Sequence, residues 1–133
     1  MAIRGWVLDK SAASRASDPR VAVGLAELAG SLFVCPVREL ERLYSARSAT
    51  DHDALKTDLH VSFEMVAAPP DVLERALRLQ RDLAHHHGMW HRTSIPDLLI
   101  AETALHHDLG VARVDPDFDR IAEVRPLTVR RLG

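Results

Sequence analysis

Three aspartates alternate within five positions of the segment GVARVDPDFDRIAEV: Asp115, Asp117 and Asp119. Carboxylates so spaced can open a turn, hold a cation or share a proton. Which of these applies depends on whether other acids converge on them. A calcium loop of the EF-hand kind wants glycine sixth and glutamate twelfth; Arg120 and Pro126 stand there, which excludes it. Asp9 follows the apolar run Trp6-Val7-Leu8, and Asp115 follows Val111–Val114. Asp97 opens the segment SIPDLLIAETALHH, and Glu39 and Glu41 lie within CPVRELERLYSARS. Clustered carboxylates repel one another until a cation neutralises them, and hard oxygen ligands select Mg2+ or Mn2+ over softer metals. Such a cluster suits phosphodiester hydrolysis by an activated water, with no side-chain nucleophile.

The elements that position these acids follow from hydrophobic patterning. Strand-like runs occupy Trp6–Leu8, Leu32–Cys35, a weaker Val61–Val66, Val111–Val114 and Leu127–Val129. Helical patterns fill residues 18–29, 36–47, 49–59, 71–86, 95–108 and 117–123. Short apolar strands alternating with amphipathic helices predict an α/β sandwich with a mainly parallel sheet. Ligands of such folds sit beyond the carboxyl ends of the strands. Asp9 and Asp115 stand at strand ends, and Asp97 and Glu41 lie near helix starts, so all four map to that edge. At about 100° per residue, Val37, Leu40, Tyr44 and Arg47 form one helical stripe. Glu41 borders it, while Glu39 points away beside Arg38 and Arg42 and reads as a surface group. A carboxylate on the packed side needs a partner, either a divalent metal or an arginine. In a hydrolytic site Asp117 is a second ligand or an acceptor behind the first, and Asp119 lies on the outer face of the last helix.

Each acid also has a plain structural reading. Ser94 with Asp97 spells a capping box, and Asp9 suits the N-cap of a helix starting at Ser11. Asp115 before Pro116 is a turn residue, and Glu41 can pair with Arg38 or Arg42. Those readings explain the acids singly but not their meeting at one edge.

Composition bounds the rest. A chain of 133 residues is expected to form one domain, residues 1–133, and can bury roughly 65–70% of its unfolded surface. The single cysteine, Cys35, lies in an apolar run, which argues against a disulfide framework. No run approaches the ~20 apolar residues of a membrane span, and the N-terminus lacks a signal-peptide core. A cytoplasmic location is therefore expected, with no membrane partner. Of 17 basic residues, all but Lys10 and Lys56 are arginine. Lys10, Arg47, Arg92 and Arg113 are the candidate phosphate contacts, a salt-sensitive and largely sequence-blind role.

The run HHHGMWHR, with His85, His86, His87 and His91, makes no zinc site. Adjacent histidines on a helix diverge, and Gly88 interrupts the His87–His91 pair. A D-x-D phosphatase would need its second aspartate two residues after Asp9, where Ser11 stands.

The segments VLDKSA, CPVRELERLYSARS, SIPDLLIAETALHHDLG and VDPDFDRIAEV, in that order, resemble the PIN-domain ribonucleases. They are most similar to VapC-like toxins of type II toxin–antitoxin pairs. The resemblance implies a three-layer α/β/α sandwich around a mainly parallel five-stranded sheet. It implies a metal-dependent endoribonuclease that cuts single-stranded RNA with Mg2+ or Mn2+. Carried over by position, Asp9, Glu41, Asp97 and Asp115 are the catalytic acids, with Asp9, Asp97, Asp115 and Asp117 toward the metal. Ser11 is the hydroxyl that orients the first aspartate. Lys10 stands where many members have threonine, and Arg113 where Ser or Thr is common. A VapB-like antitoxin and a homodimer are implied as partners. The competing expectation is a non-catalytic PIN-like module that binds RNA or a protein.

Overall fold

A computed structural model describes residues 2–133. Five strands, β1 Gly5–Leu8, β2 Leu32–Val34, β3 Glu64–Met65, β4 Leu109–Arg113 and β5 Val129–Arg131, alternate with seven helices. These are α1 Lys10–Ala13, α2 Pro19–Leu28, α3 Pro36–Tyr44, α4 Ala49–Ser62, α5 Val72–His85, α6 Ile95–His106 and α7 Asp119–Ala122. Short 3-10 turns cover Met89–Arg92 and Pro116–Phe118.

The strand order is β3-β2-β1-β4-β5, and every neighbouring pair is parallel. The chain begins in the middle of the sheet, builds outward through β2 and β3, then returns to the other side of β1. The connections leaving β1 and β4 therefore diverge, and a crevice opens between them at their carboxyl ends. Leu8 is in register with Ala112, and the Asp9 amide donates to the Ala112 carbonyl at 2.9 Å. Asp9 and the Val114-Asp115 segment thus leave the sheet side by side.

Side-chain alternation along β1 sorts the two faces. Val7 packs with Leu109, Val111 and the inner faces of α5 and α6, among them Leu79, Leu83, Leu98 and Ile100. Trp6 and Leu8 turn the other way, toward Ala12, Val21, Leu28 and Leu132. The sheet is thereby covered by helices on both sides, in three layers. Gly110 is required where β4 passes Trp6, because a Cβ there would lie 2.7 Å from the indole.

Three elements depart from the sequence expectation. The helix read as 49–59 runs on to Ser62 and absorbs Val61, which is exposed, so the strand read at Val61–Val66 shrinks to two residues. The last strand lies at Val129–Arg131 rather than Leu127–Val129. Leu127 is used in the core instead, and pairing with β4 carries the charged Arg130 and Arg131 into an edge strand, where they are tolerated. Leu40 and Tyr44 do not form an inward stripe of α3. Both are exposed, and Arg38 and Leu43 are the residues that helix buries.

Candidate functional site

Asp9 ends β1 and caps α1, and it is buried. Its Oδ2 accepts the Ser11 hydroxyl at 2.7 Å and, more loosely, the Ser11 amide at 3.4 Å. The same Ser11 oxygen accepts the amides of Val114 at 3.0 Å and Asp115 at 3.1 Å. One hydroxyl therefore fastens the exit of β1 to the exit of β4. The cap reading of Asp9 holds, and the cap also sets its carboxylate at the crevice.

The crevice is an open cleft of about 350 Å³ whose walls carry Asp9, Glu41, Asp97, Asp115 and Asp117 together with Lys10. They come from the end of β1, from α3, from the first turn of α6 and from the segment after β4. Ser94 caps α6 by accepting the Asp97 amide at 3.3 Å, which leaves the Asp97 carboxyl turned to the other acids. Burial, then the charges of Asp9, Glu41 and Asp117, push the Asp97 carboxyl up to about 7, against a hydrogen bond from Ser94. Burial also raises Glu41, opposed chiefly by Arg38. A larger cavity of about 650 Å³ lies at the opposite end of the sheet beside Ile3, Leu109 and Leu127. It gathers none of these acids.

Two arginines in this region do more than the sequence reading gives them: it leaves Arg15 out and offers Arg38 only as one of two partners for Glu41. Arg15 Nη1 lies 3.3 Å from Asp115 Oδ1 and also donates to the Ser11 carbonyl at 3.0 Å. Arg38 is buried, donates from Nε to the Leu8 carbonyl at 3.0 Å, and brings Nη1 to 3.9 Å from Glu41 Oε1. That distance is too long for a hydrogen bond, and Glu41 Oε1 is left buried with no hydrogen-bond partner. The spacing of Arg15 from Ser11, one helical turn, was the available signal for the first. For the second, the three-residue spacing offered the pairing with Glu41, and only the burial of Arg38 was hidden by placing it beside the outward Glu39.

Not every candidate phosphate contact reaches the cleft. Arg113 is unavailable: its Nη2 and Nε grip Asp119 at 2.6 and 3.2 Å, which also removes Asp119 from the free outer surface. Arg47 lies at the turn between α3 and α4, its amide on Asp51, beside other surface hollows. Arg92 ends the first 3-10 turn, away from the cleft walls. Lys10 alone of the four lines it. The three alternating aspartates thus face three different arginines: Asp115 meets Arg15, Asp117 lies 4.0 Å from Arg120, and Asp119 holds Arg113. Glu39 is not a free surface group either, since it meets His60 of α4 at 2.5 Å.

The donor set suits a hard divalent cation. It is made of carboxylates, it holds a buried oxygen with no partner, and burial, then the neighbouring acids, raises the Asp97 carboxyl to about 7. Among the described residues no three His, Cys, Asp or Glu side chains are already arranged to clasp an ion. A cation here would keep several waters, as Mg2+ does when one or two carboxylates hold it.

A profile of the PIN domain matches residues 6–124, and the chain belongs to the PIN-domain family. Within that family it is 53% identical over 124 residues to Ribonuclease VapC17 of Mycobacterium tuberculosis, covering 91% of this chain and 90% of that one. Ribonuclease VapC21 of the same organism is 41% identical over 90% of this chain and 87% of its own. The fold is shared with VapBC2 from Rickettsia felis bound to a promoter DNA fragment (TM-score 0.73, 15% identity, 96% and 98% of the two chains). It is shared also with VapBC-5 from Mycobacterium tuberculosis (TM-score 0.66, 21% identity, 97% and 99%). Among the described residues no helix is long and apolar enough to cross a membrane.

Proposed function

We propose that this chain is a metal-dependent endoribonuclease, the toxin of a toxin–antitoxin pair, acting on single-stranded RNA in the cytoplasm. The observation that carries this reading is the meeting of Asp9, Glu41, Asp97 and Asp115, from four separate elements, in one cleft at the sheet's switch point. The likeness to Ribonuclease VapC17 supports the choice of RNA. A VapB-like antitoxin as inhibitor and a homodimer are carried over with it. Asp9, Asp97 and Asp115 would hold Mg2+ or Mn2+, with Asp117 at the rim. The cation supplies Lewis acidity toward a phosphoryl oxygen and the attacking water. Ser11 keeps Asp9 aimed into the cleft, and Arg38 anchors the base of α3 so that Glu41 faces the same space. Lys10 meets the substrate backbone.

A second reading is favoured by the two ion pairs. Arg15 on Asp115 and Arg38 beside Glu41 partly balance the acids from within the chain, as a non-catalytic binding module would require. Purified protein incubated with total RNA, with Mg2+ or with chelator, followed by mapping of new ends, separates the two. New ends that form only with metal support the nuclease; intact RNA in every tube with bound RNA recovered supports the module.

A further inference from the structure

The acidic cleft does not end at Glu41. A groove of about 380 Å³ continues from it along α3 and shares Lys10 and Glu41 with the cleft. Its walls turn from acidic to basic: Lys10, Arg38 and Arg42 line it together with Tyr44. Arg42 is held in place without a carboxylate, Nη1 donating to Ser45 Oγ at 2.9 Å, and keeps its other N–H groups for a ligand. The Tyr44 ring is 93% exposed and does nothing for the core.

Resting on the ribonuclease reading above, we propose that this groove is a subsite for the nucleotide flanking the scissile phosphate, with its phosphate on Lys10 and Arg42 and its base stacked on Tyr44. An unpaired base offers an aromatic face to such a ring, which a base stacked in a duplex does not, and the backbone phosphate offers charge to the two cations. Continuity with the acidic cleft favours RNA over a protein ligand. A strand cut among Asp9, Glu41 and Asp115 must leave the cleft somewhere, and this is the exit whose charge reverses to positive. The subsite would then accept any unpaired neighbouring base, with at most a modest preference for the stronger stackers.

The test is steady-state cleavage, with Mn2+, of a synthetic single-stranded RNA carrying one mapped cleavage site. Wild type is compared with Tyr44→Ala, Tyr44→Phe and Arg42→Gln. Loss of one stacked base should raise KM about tenfold or more in Tyr44→Ala. Its kcat should stay within about twofold, because the lost contact is made equally in ground and transition states. Tyr44→Phe, which keeps the ring, should match wild type. Arg42→Gln should flatten the salt dependence of kcat/KM by about 0.7 in logarithmic slope, one phosphate on a single strand. A Tyr44→Ala enzyme with wild-type KM overturns the subsite while leaving the nuclease intact. If that variant also escapes inhibition by the cognate antitoxin, the face belongs to the protein partner instead. Wild type that cuts no RNA with any divalent metal overturns the ribonuclease reading and the subsite together.

Discussion

Ser11 gives its hydroxyl proton to Asp9 at 2.7 Å and, through the same oxygen, accepts the amide of Asp115 at 3.1 Å. The two strand exits that flank the switch point are joined by that one side chain. Removing it would leave the amides of Val114 and Asp115 without their acceptor, at a cost of ~1–3 kcal/mol per buried group left unpaired. Ser11→Ala is expected to lower the unfolding free energy by that order and to impair cleavage. Ser11→Thr should retain much of both. Urea unfolding of the three proteins checks this; an Ala variant as stable as wild type would show that water replaces the hydroxyl.

The acids at the strand ends should be separable from the fold. Asp115→Asn is expected to cut RNA cleavage more than ~100-fold, the scale of losing one group that stabilises transition-state charge, while the protein stays folded. Arg15 would lose its charged partner in that variant but keep the Ser11 carbonyl. Circular dichroism with an activity assay is sufficient. Wild-type activity in a folded Asp115→Asn protein would remove Asp115 from the site.

Glu39 and Glu41 form an internal control on one helix. Glu41 lines the cleft, while Glu39 reaches the other way to His60. Glu41→Gln is expected to lose cleavage. Glu39→Gln should keep it and lose only the partly exposed tie between α3 and α4, within ~1 kcal/mol. Denaturation midpoints and cleavage rates of both variants decide it; the reverse pattern would contradict the phase of α3.

The pH dependence of the metal-free protein follows from Asp97. Burial and the charges of Asp9, Glu41 and Asp117 hold its folded value at about 7, against about 3.9 for a free aspartate. Between those values the folded state binds the extra proton. Stability is therefore fully present below about pH 4 for this group and is lost as pH rises toward 7. With chelator present, the Tm should rise on acidification from pH 8 to about 5.5. Asp97→Asn should blunt that slope and be more stable than wild type at pH 8. Calorimetry at a series of pH values reads both; an unchanged slope in Asp97→Asn would contradict the assignment.

The positions of Asp9, Asp115, Asp97 and Glu41 were legible because each stands at a strand end or near a helix start, and parallel α/β topology brings those ends together. The parallel five-stranded sheet followed from the same alternation. Pairing between charged groups was mostly not legible, the three-residue spacing of Arg38 and Glu41 on α3 excepted. Arg113 looked free to meet phosphate until the fold turned Asp119 onto it, and Arg15 reaches Asp115 only through the local geometry of α1. The phase of α3 pointed to Glu41, which does line the cleft, but not because of an inward apolar stripe. Leu40 and Tyr44 read as a core stripe by periodicity alone, yet that face is left to solvent, and the buried positions go to Arg38 and Leu43. Hydrophobic period identifies a face but does not distinguish a core from a face left to solvent.

The most direct measurement compares wild type and Asp9→Asn on one single-stranded RNA, each with Mg2+ or Mn2+ and each with chelator. Wild type should cut at discrete positions only in the presence of metal. Asp9→Asn, folded as judged by its Tm, should cut in neither condition. Cleavage that persists in chelator, or an Asp9→Asn protein that cuts at the wild-type rate, would contradict the claim that these converging carboxylates are a metal-dependent nuclease site.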